Sequence, residues 1–362
     1  MLKARMSDFF AKHESSLEIA FFVGGFIFDI WMLAAPDEVI SIIQQISYLF
    51  FIAVLIHFEL LHRLVRWRPQ GMMVRIWTYR TFIMHFLLGS LLSVYSLFYI
   101  KSASIFSSFV FLLFIIGLLL ANELPVIKRA NVSFKIGLYA ICLFSFLSIA
   151  YRILFGSLGF VPFMFSLVTT LGILYLQYKQ LQRAIPQEPV LFRAVMAPTG
   201  SVMILFFIFY FLGWIPPVPL SVKTQGVYHF IEKKDGNYLL SYQPEWPYFI
   251  RDSDKVFKAL PGDKIYFFAQ IYSPARISDE VVIHWHQKNK KDDWELMDKI
   301  PLKIQGGREQ GYRGYAFKSN YTPGEWKIAV KTSSGIEISR HYFTVENASD
   351  NSDTRVFSII SK

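Results

Sequence analysis

The 362-residue chain has a single cysteine, Cys142, set inside an apolar run. One cysteine excludes an internal disulfide framework, a CxxC redox pair and a cysteine-based zinc site. Any domain outside a membrane must therefore hold by its hydrophobic core alone. The short motifs that announce chemistry are missing as well: there is no GxSxG nucleophile turn, no Walker loop, no GxGxxG and no HD-type pair in the basic loops. The closest approach to a zinc-protease helix, HFELLH, spaces His57 and His62 five apart, whereas that motif needs two histidines four apart on one helical face. These absences point away from an enzyme and imply no cofactor and no metal.

Charge is also scarce, at 18% of residues, while 53% are hydrophobic and 36 are Phe. A chain of this composition reads as a multi-pass membrane protein. Apolar runs occupy Leu17–Ala35, Val39–Leu61, Thr81–Ile100, Ser104–Leu124, Ile136–Phe155, Phe160–Tyr178 and Ala194–Trp214. Each is long enough, at about 1.5 Å per residue, to cross a hydrocarbon core of roughly 30 Å. The first could pass for a signal peptide, but it is too long for a typical apolar signal core, contains Asp29 and is followed by Pro36, so it reads as an uncleaved span.

The loops predict orientation. Lys3, Arg5 and Lys12 on the arm, Arg63, Arg66, Arg68, Arg75 and Arg80 after the second run, Lys128, Arg129 and Lys135 after the fourth, and Lys179, Arg183 and Arg193 after the sixth all fall on one side. Only Lys101 and Arg152 fall on the other. Short Lys/Arg-rich loops stay in the cytoplasm, which places the N-terminus inside and the C-terminal part outside; in a bacterium with two membranes that is the inner membrane and the periplasm. The basic excess is thus a topology signal and implies no nucleic-acid partner.

Ionisable residues in the spans are candidate functional positions: Asp29 in the first, His57 and Glu59 in the second, His85 in the third and Glu123 at the end of the fourth. With alternating chain direction, all but Asp29 gather near the cytoplasmic face. Such a group suits a lipid headgroup, an ion or a proton. Interfacial anchoring, with Glu59 paired to Arg63 one helical turn on, accounts for it more simply.

Beyond Pro216, Pro217 and Pro219 the pattern changes to period-two alternation cut by turn residues, the mark of an antiparallel β domain. Lys234-Asp235-Gly236 marks a hairpin turn. Ile265, Phe267, Ala269 and Ile271 share one face of a strand and Tyr266, Phe268 and Tyr272 the other. Val281, Ile283 and Trp285 face inward, leaving His284 and His286 outside. In the last strand Ile336 and Ile338 are out of phase with Phe343 and Val345, and a bulge near Arg340 repairs the register. About eight short strands predict a two-layer, immunoglobulin-like sandwich.

The expected layout is a cytoplasmic arm (1–16), a seven-span α-helical polytopic bundle (17–214), a Pro-rich linker (215–222), an all-β sandwich (223–346) and a flexible tail (347–362). Three surfaces on the sandwich are candidates for binding. The first is the aromatic face of Tyr266, Phe268 and Tyr272 with Trp246 and Tyr248 nearby, suited to a sugar, a partner or the membrane half. The second is the pair His284 and His286, and the third is Arg308 and Arg313 around Gly306-Gly307, an anion nest or a hairpin turn.

The runs VVIHWHQ, IPLKIQGGREQGYRGYAFKS and TPGEWKIAVKTSSGIEISRHYFTV resemble bacterial domain of unknown function 2914. GGFIFD from Gly24 and GSLLSVYSLFYIKS from Gly89 resemble the membrane part of uncharacterised family 5924. The resemblance implies an inner-membrane address and brings no catalytic residues. The expected function is that of a membrane protein whose sandwich binds an envelope protein, glycan or lipid partner. A membrane-embedded transporter or lipid-modifying enzyme, with its polar site at the cytoplasmic helix ends, is the alternative.

Overall fold

A computed structural model describes residues 36–64, 66–123, 131–184, 188–244, 252–273, 280–303, 311–348 and 355–362. Seven helices precede eleven strands among these residues: α1 (Val39–Arg63), α2 (Met72–Thr78), α3 (Arg80–Ser102), α4 (Ile105–Glu123), α5 (Val132–Phe155), α6 (Phe160–Ala184) and α7 (Glu188–Phe211). The chain divides into two compact units. The first takes in Met1–Ile100, Phe109–Tyr151 and Phe160–Ile215, and the second Lys101–Ser108, Arg152–Gly159 and Pro216–Lys362.

In the helical unit, α1, α3, α5, α6 and the Pro189–Phe211 part of α7 make five helices long and apolar enough to cross a membrane, and α4 contributes a shorter apolar stretch, Phe106–Asn122. The predicted first span, with Asp29, lies outside the described residues. The short α2 falls in the basic loop ahead of α3 and has no counterpart among the predicted spans.

Apolar side chains face both ways on these helices, as expected of segments whose solvent is lipid. Ile40, Phe82, Leu176 and Phe211 are 63–74% exposed. Inward, Phe111, Phe144, Phe163 and Phe206 are fully buried, with the Phe144 and Phe206 ring centroids 4.4 Å apart. Polar groups tie the helices where hydrocarbon offers no alternative partner. Tyr99 donates to Ser145 Oγ at 3.1 Å, and Gln177 Nε2 donates to the Ala53 carbonyl at 3.0 Å.

The second unit carries β1 (Ser221–Tyr228), β2 (Phe230–Lys234), β3 (Asn237–Tyr242), β4 (Val256–Ala259), β5 (Ile265–Tyr272), β6 (Glu280–Lys288), β7 (Trp294–Lys303), β8 (Tyr312–Lys318), β9 (Gly324–Thr332), β10 (Glu337–Asn347) and β11 (Ser358–Ser361). They form three sheets ordered β1-β5-β8, β4-β10-β9-β6-β7 and β11-β3-β2. The pairings are antiparallel except that β4 runs parallel to β10.

The main core joins the first two sheets as a sandwich. Ile265, Phe267, Ala269 and Ile271 of β5 meet Val281, Ile283 and Trp285 of β6 and Trp326, Ile328 and Val330 of β9. The alternation read from the sequence is therefore the alternation that packs. The β2–β3 hairpin turns at Asp235 and Gly236, whose φ values of 50° and 81° fit a type I′ turn. A register shift between Glu337 and Ser339 brings Ile338 into phase with Phe343 and Val345.

Three features depart from expectation. The β11-β3-β2 sheet forms a third layer over the far side of β5. A second core unites Tyr228, Phe268, Ile231, Leu240 and Tyr242. The polar composition of 347–362 predicts a loose tail, yet Ser358–Ser361 adds a strand to β3, and the Lys362 and Tyr238 backbones exchange hydrogen bonds of 2.9 and 3.0 Å. Finally, 215–220 is buried instead of forming an exposed spacer. Within this unit Arg152, 1% exposed, donates from Nη1 to the carbonyls of Pro216 at 3.2 Å and Val218 at 2.8 Å. Proline lacks an N–H but keeps its carbonyl, so a buried proline-rich turn needs such a donor.

Candidate functional site

At the basic-loop end of the helical unit, the last turn of α1 presents Glu59 and Arg63, and α3 begins with Arg80. Glu59 is 5% exposed and accepts from Arg63 Nε at 2.8 Å and from Arg80 Nε at 2.6 Å. The i,i+4 pair with Arg63 is the one the sequence predicts; Arg80, 21 residues away, closes the carboxylate from the other side. Arg80 also lies over the Trp77 ring at 5.0 Å and donates from Nη1 to the Trp77 carbonyl at 3.0 Å. Lys135, in the first turn of α5, is 5% exposed and lies within Coulombic range of Glu59, Arg63 and Arg80.

Glu59 is thus held as an ion-pair acceptor and is not poised as a free base. His62 turns away from it, its Nδ1 at 3.2 Å from the Trp67 carbonyl and its ring edge-on to Trp77. His57 is half-buried against Phe58 and His85 is half-buried on α3. The side chain of Glu123 lies outside the described residues. Among the described residues no three His, Cys, Asp or Glu come together as a metal site.

On the second unit the predicted aromatic face is divided. Phe268 is fully buried in the second core and contributes no surface. Tyr266 is half-buried and sits at the centre of a ring cluster, with centroids 6.1 Å from Phe230, 6.0 Å from Tyr315 and 5.9 Å from Phe317. Those three neighbours are 53%, 39% and 50% exposed. Lys264 Nζ lies 5.0 Å over the Phe317 ring. Tyr272 is half-buried, with Lys223 Nζ 5.5 Å over its ring; Trp246 and Tyr248 lie outside the described residues. Tyr315 and Phe317 stand two apart on β8 and face the same way as Tyr266, a period-two signal present in the sequence. Phe230 comes from β2, and no sequence spacing ties it to them.

His284 and His286 lie on the face of the five-stranded sheet away from the main core, with rings 6.0 Å apart. Burial, then Lys327, His284 and Lys331, hold the His286 imidazole down at about 4, and burial with Lys331 and Lys299 lowers His284. Burial and the neighbouring lysines thus keep the pair neutral near pH 7. The same face carries Arg340, whose Nε and Nη2 bond the Glu337 carboxylate at 3.0 and 2.8 Å while Nη1 reaches Tyr342 Oη at 3.0 Å. Trp294 packs against Tyr342, with Lys327 Nζ 4.8 Å over its ring.

Arg313 is spent on a turn, donating to Asn237 Oδ1 at 3.4 Å and to the Gly236 carbonyl at 3.1 Å. Arg308 and the Gly306-Gly307 nest lie outside the described residues.

Residues 278–345 match the model of a family described as "Protein of unknown function (DUF2914)". No curated protein matches the chain. Among solved structures, a β-glucosidase from Listeria innocua in complex with glucose is 14% identical at a TM-score of 0.21, over 33% of this chain and 16% of its own. An immunoglobulin-like protein from Pseudomonas aeruginosa is 12% identical at 0.20, over 33% of this chain and 96% of its own. A Pseudomonas fluorescens alkylpurine DNA glycosylase bound to DNA containing an abasic site analog is 10% identical at 0.23, over 64% of this chain and 52% of its own. At these scores none of the three speaks to function. The family match alone is specific, and it covers the strands from β6 to β10.

Proposed function

We propose that this is an integral protein of the bacterial inner membrane, with its N-terminus in the cytoplasm, whose periplasmic β-sandwich binds an envelope component or partner protein. The observation that carries the reading is the cluster of Phe230, Tyr315 and Phe317 around the half-buried Tyr266, an exposed apolar patch on a domain whose largest aromatics, Trp285 and Trp326, are enclosed. Aromatic rings held rigidly at a surface supply contact area at little conformational cost, and patches of this kind mark interaction sites. The orientation rests on the placement of Lys and Arg in alternate loops.

The reading is tested in cells with the full-length chain. A reporter active only outside the cytoplasm should be bright when fused after Lys362 and dark at Arg68. Tyr315→Ser combined with Phe317→Ser should leave abundance and melting unchanged while removing partner association. A dark Lys362 fusion with a bright Arg68 fusion contradicts the orientation, and unchanged association in the double variant contradicts the binding surface.

A further inference from the structure

Around Glu59 the charges do not balance. Arg63 and Arg80 both bond the Glu59 carboxylate and Lys135 lies within electrostatic range of all three; among these described residues Glu59 and Lys135 are 5% exposed, and the Arg63 and Arg80 side chains 46% and 28%. Uncompensated charge in a low-dielectric setting is costly, and a stable arrangement supplies a counter-charge.

The free hydrogen-bonding capacity there is of one kind. Arg63 and Arg80 both spend Nε on Glu59, and Arg80 spends Nη1 on the Trp77 carbonyl. That leaves Nη1 and Nη2 of Arg63 and Nη2 of Arg80 open among the described residues. Trp77 is 8% exposed, and its Nε1–H is a buried donor with no acceptor. Lys135 adds up to three N–H donors. Every open group is a donor. A ligand offering several acceptor oxygens and negative charge answers both the charge surplus and the orphaned indole.

We infer that Arg63, Trp77, Arg80 and Lys135 form a binding site for a phosphate group, with Glu59 as the positioning residue that splays the two guanidinium groups apart. Guanidinium forks match phosphate oxygens bidentately, whereas a lysine acts on them as a point charge. The elements also fit the depth at which phosphate is found. The site joins the last turn of α1, Trp77 of the short α2, the start of α3 and the first turn of α5; α1, α3 and α5 are apolar helices whose ends here carry the basic loops. Basic pockets between helices at that level suit anionic lipid headgroups. A soluble phosphate ester arriving from the aqueous side would present the same chemistry. The inference concerns the helical unit and does not rest on the sandwich-binding reading.

The test uses the full-length chain in detergent, titrated with phosphatidylglycerol, phosphatidylcholine or inorganic phosphate, with binding read by native mass spectrometry and by the shift in melting midpoint. Phosphatidylglycerol should bind and raise the midpoint. Phosphatidylcholine should bind more weakly, because its choline cation faces a surplus of positive charge. Arg63→Gln and Trp77→Phe should each weaken phosphatidylglycerol binding about tenfold, the loss expected for one charge-assisted hydrogen bond, and Lys135→Arg should retain it. Arg63 has a half-exposed side chain, and Arg80 still bonds Glu59 without it, so its variant should remain folded and report binding even where a Lys135→Gln variant fails to fold.

Competition by millimolar inorganic phosphate would support the phosphate site and assign it to a soluble source; lipid binding that phosphate does not displace would assign it to a headgroup. Equal retention of both lipids with no response to phosphate, or undiminished binding in Arg63→Gln and Trp77→Phe, would overturn the proposal.

Discussion

Exposed apolar side chains mean different things in the two units. Along the helices they are the rule: Ile40, Phe82, Val161, Leu176, Ile204 and Phe211 all point outward, because a segment that crosses hydrocarbon gains nothing by hiding them. In the β unit the rule is burial. Trp285, Trp326, Phe257 and Phe267 are enclosed, and exposure is largely confined to a few places, of which the Phe230–Tyr315–Phe317 cluster is the most aromatic. The same degree of exposure is therefore ordinary solvation in one unit and an exception that calls for an occupant in the other. Individual buried ionisable groups differ as well. Glu59 in the helical unit holds two arginines, whereas the buried His229 and His341 of the β unit are kept uncharged by burial.

The comparison breaks most visibly if core and surface aromatics of the β unit respond alike. Trp326→Ala or Trp285→Ala should cost about 3–5 kcal/mol, as removal of a fully buried indole leaves a cavity the strands cannot close. Denaturant midpoints of the full-length chain would check this, and a loss below about 1 kcal/mol would show that these rings are not core. Phe268→Ala comes next. Its place in the smaller second core predicts a loss of about 3 kcal/mol, whereas a surface residue at that position would cost under about 0.5 kcal/mol.

A smaller, pH-dependent effect follows from the histidines. His229 and His286 are held at about 4 and His341 at about 3, each first by burial, against an ordinary value of 6.5. The unfolded chain binds protons at these sites near pH 6.5 and the folded chain does not. Stability is therefore complete above that value and falls as pH drops through the window from 6.5 toward 4. Urea midpoints at pH 7.5, 6.0 and 5.0 should decline in that order, and His341→Phe should flatten the trend. A midpoint that rises on acidification would contradict the neutral buried histidines.

Much of the β unit was legible in the sequence because period-two alternation maps directly onto the two faces of a strand. Ile265, Phe267, Ala269 and Ile271, and Val281, Ile283 and Trp285, pack as their phase predicts. Alternation cannot say which of the two faces is also covered. Phe268 reads as surface by phase and is core because a third sheet lies on it. That sheet includes β11, whose Ile359 and Ile360 follow the polar run 347–355 that reads as a tail, and whose pairing with β3 spans more than a hundred positions. In the helical unit the one-turn pair Glu59–Arg63 was readable from spacing. Arg80, Trp77 and Lys135 come from other helices, and no local pattern announces their meeting. The aromatic cluster is an intermediate case, with Tyr315 and Phe317 in phase on one strand and Phe230 supplied from another sheet.

The smallest stability effect should come from Phe317, a half-exposed ring whose replacement should shift the folding free energy by no more than about 0.5 kcal/mol. That makes it the position from which to ask what the aromatic cluster touches. A photo-crosslinking phenylalanine analogue placed at Phe317 in the full-length chain, and at Phe211 as the lipid-facing control, would be activated in intact cells. A discrete protein or glycan adduct at Phe317, with only lipid adducts at Phe211, is the expected result. Lipid adducts alone at both positions would contradict the reading of the sandwich as a binding module, since its exposed aromatics would then face the same solvent as the helices.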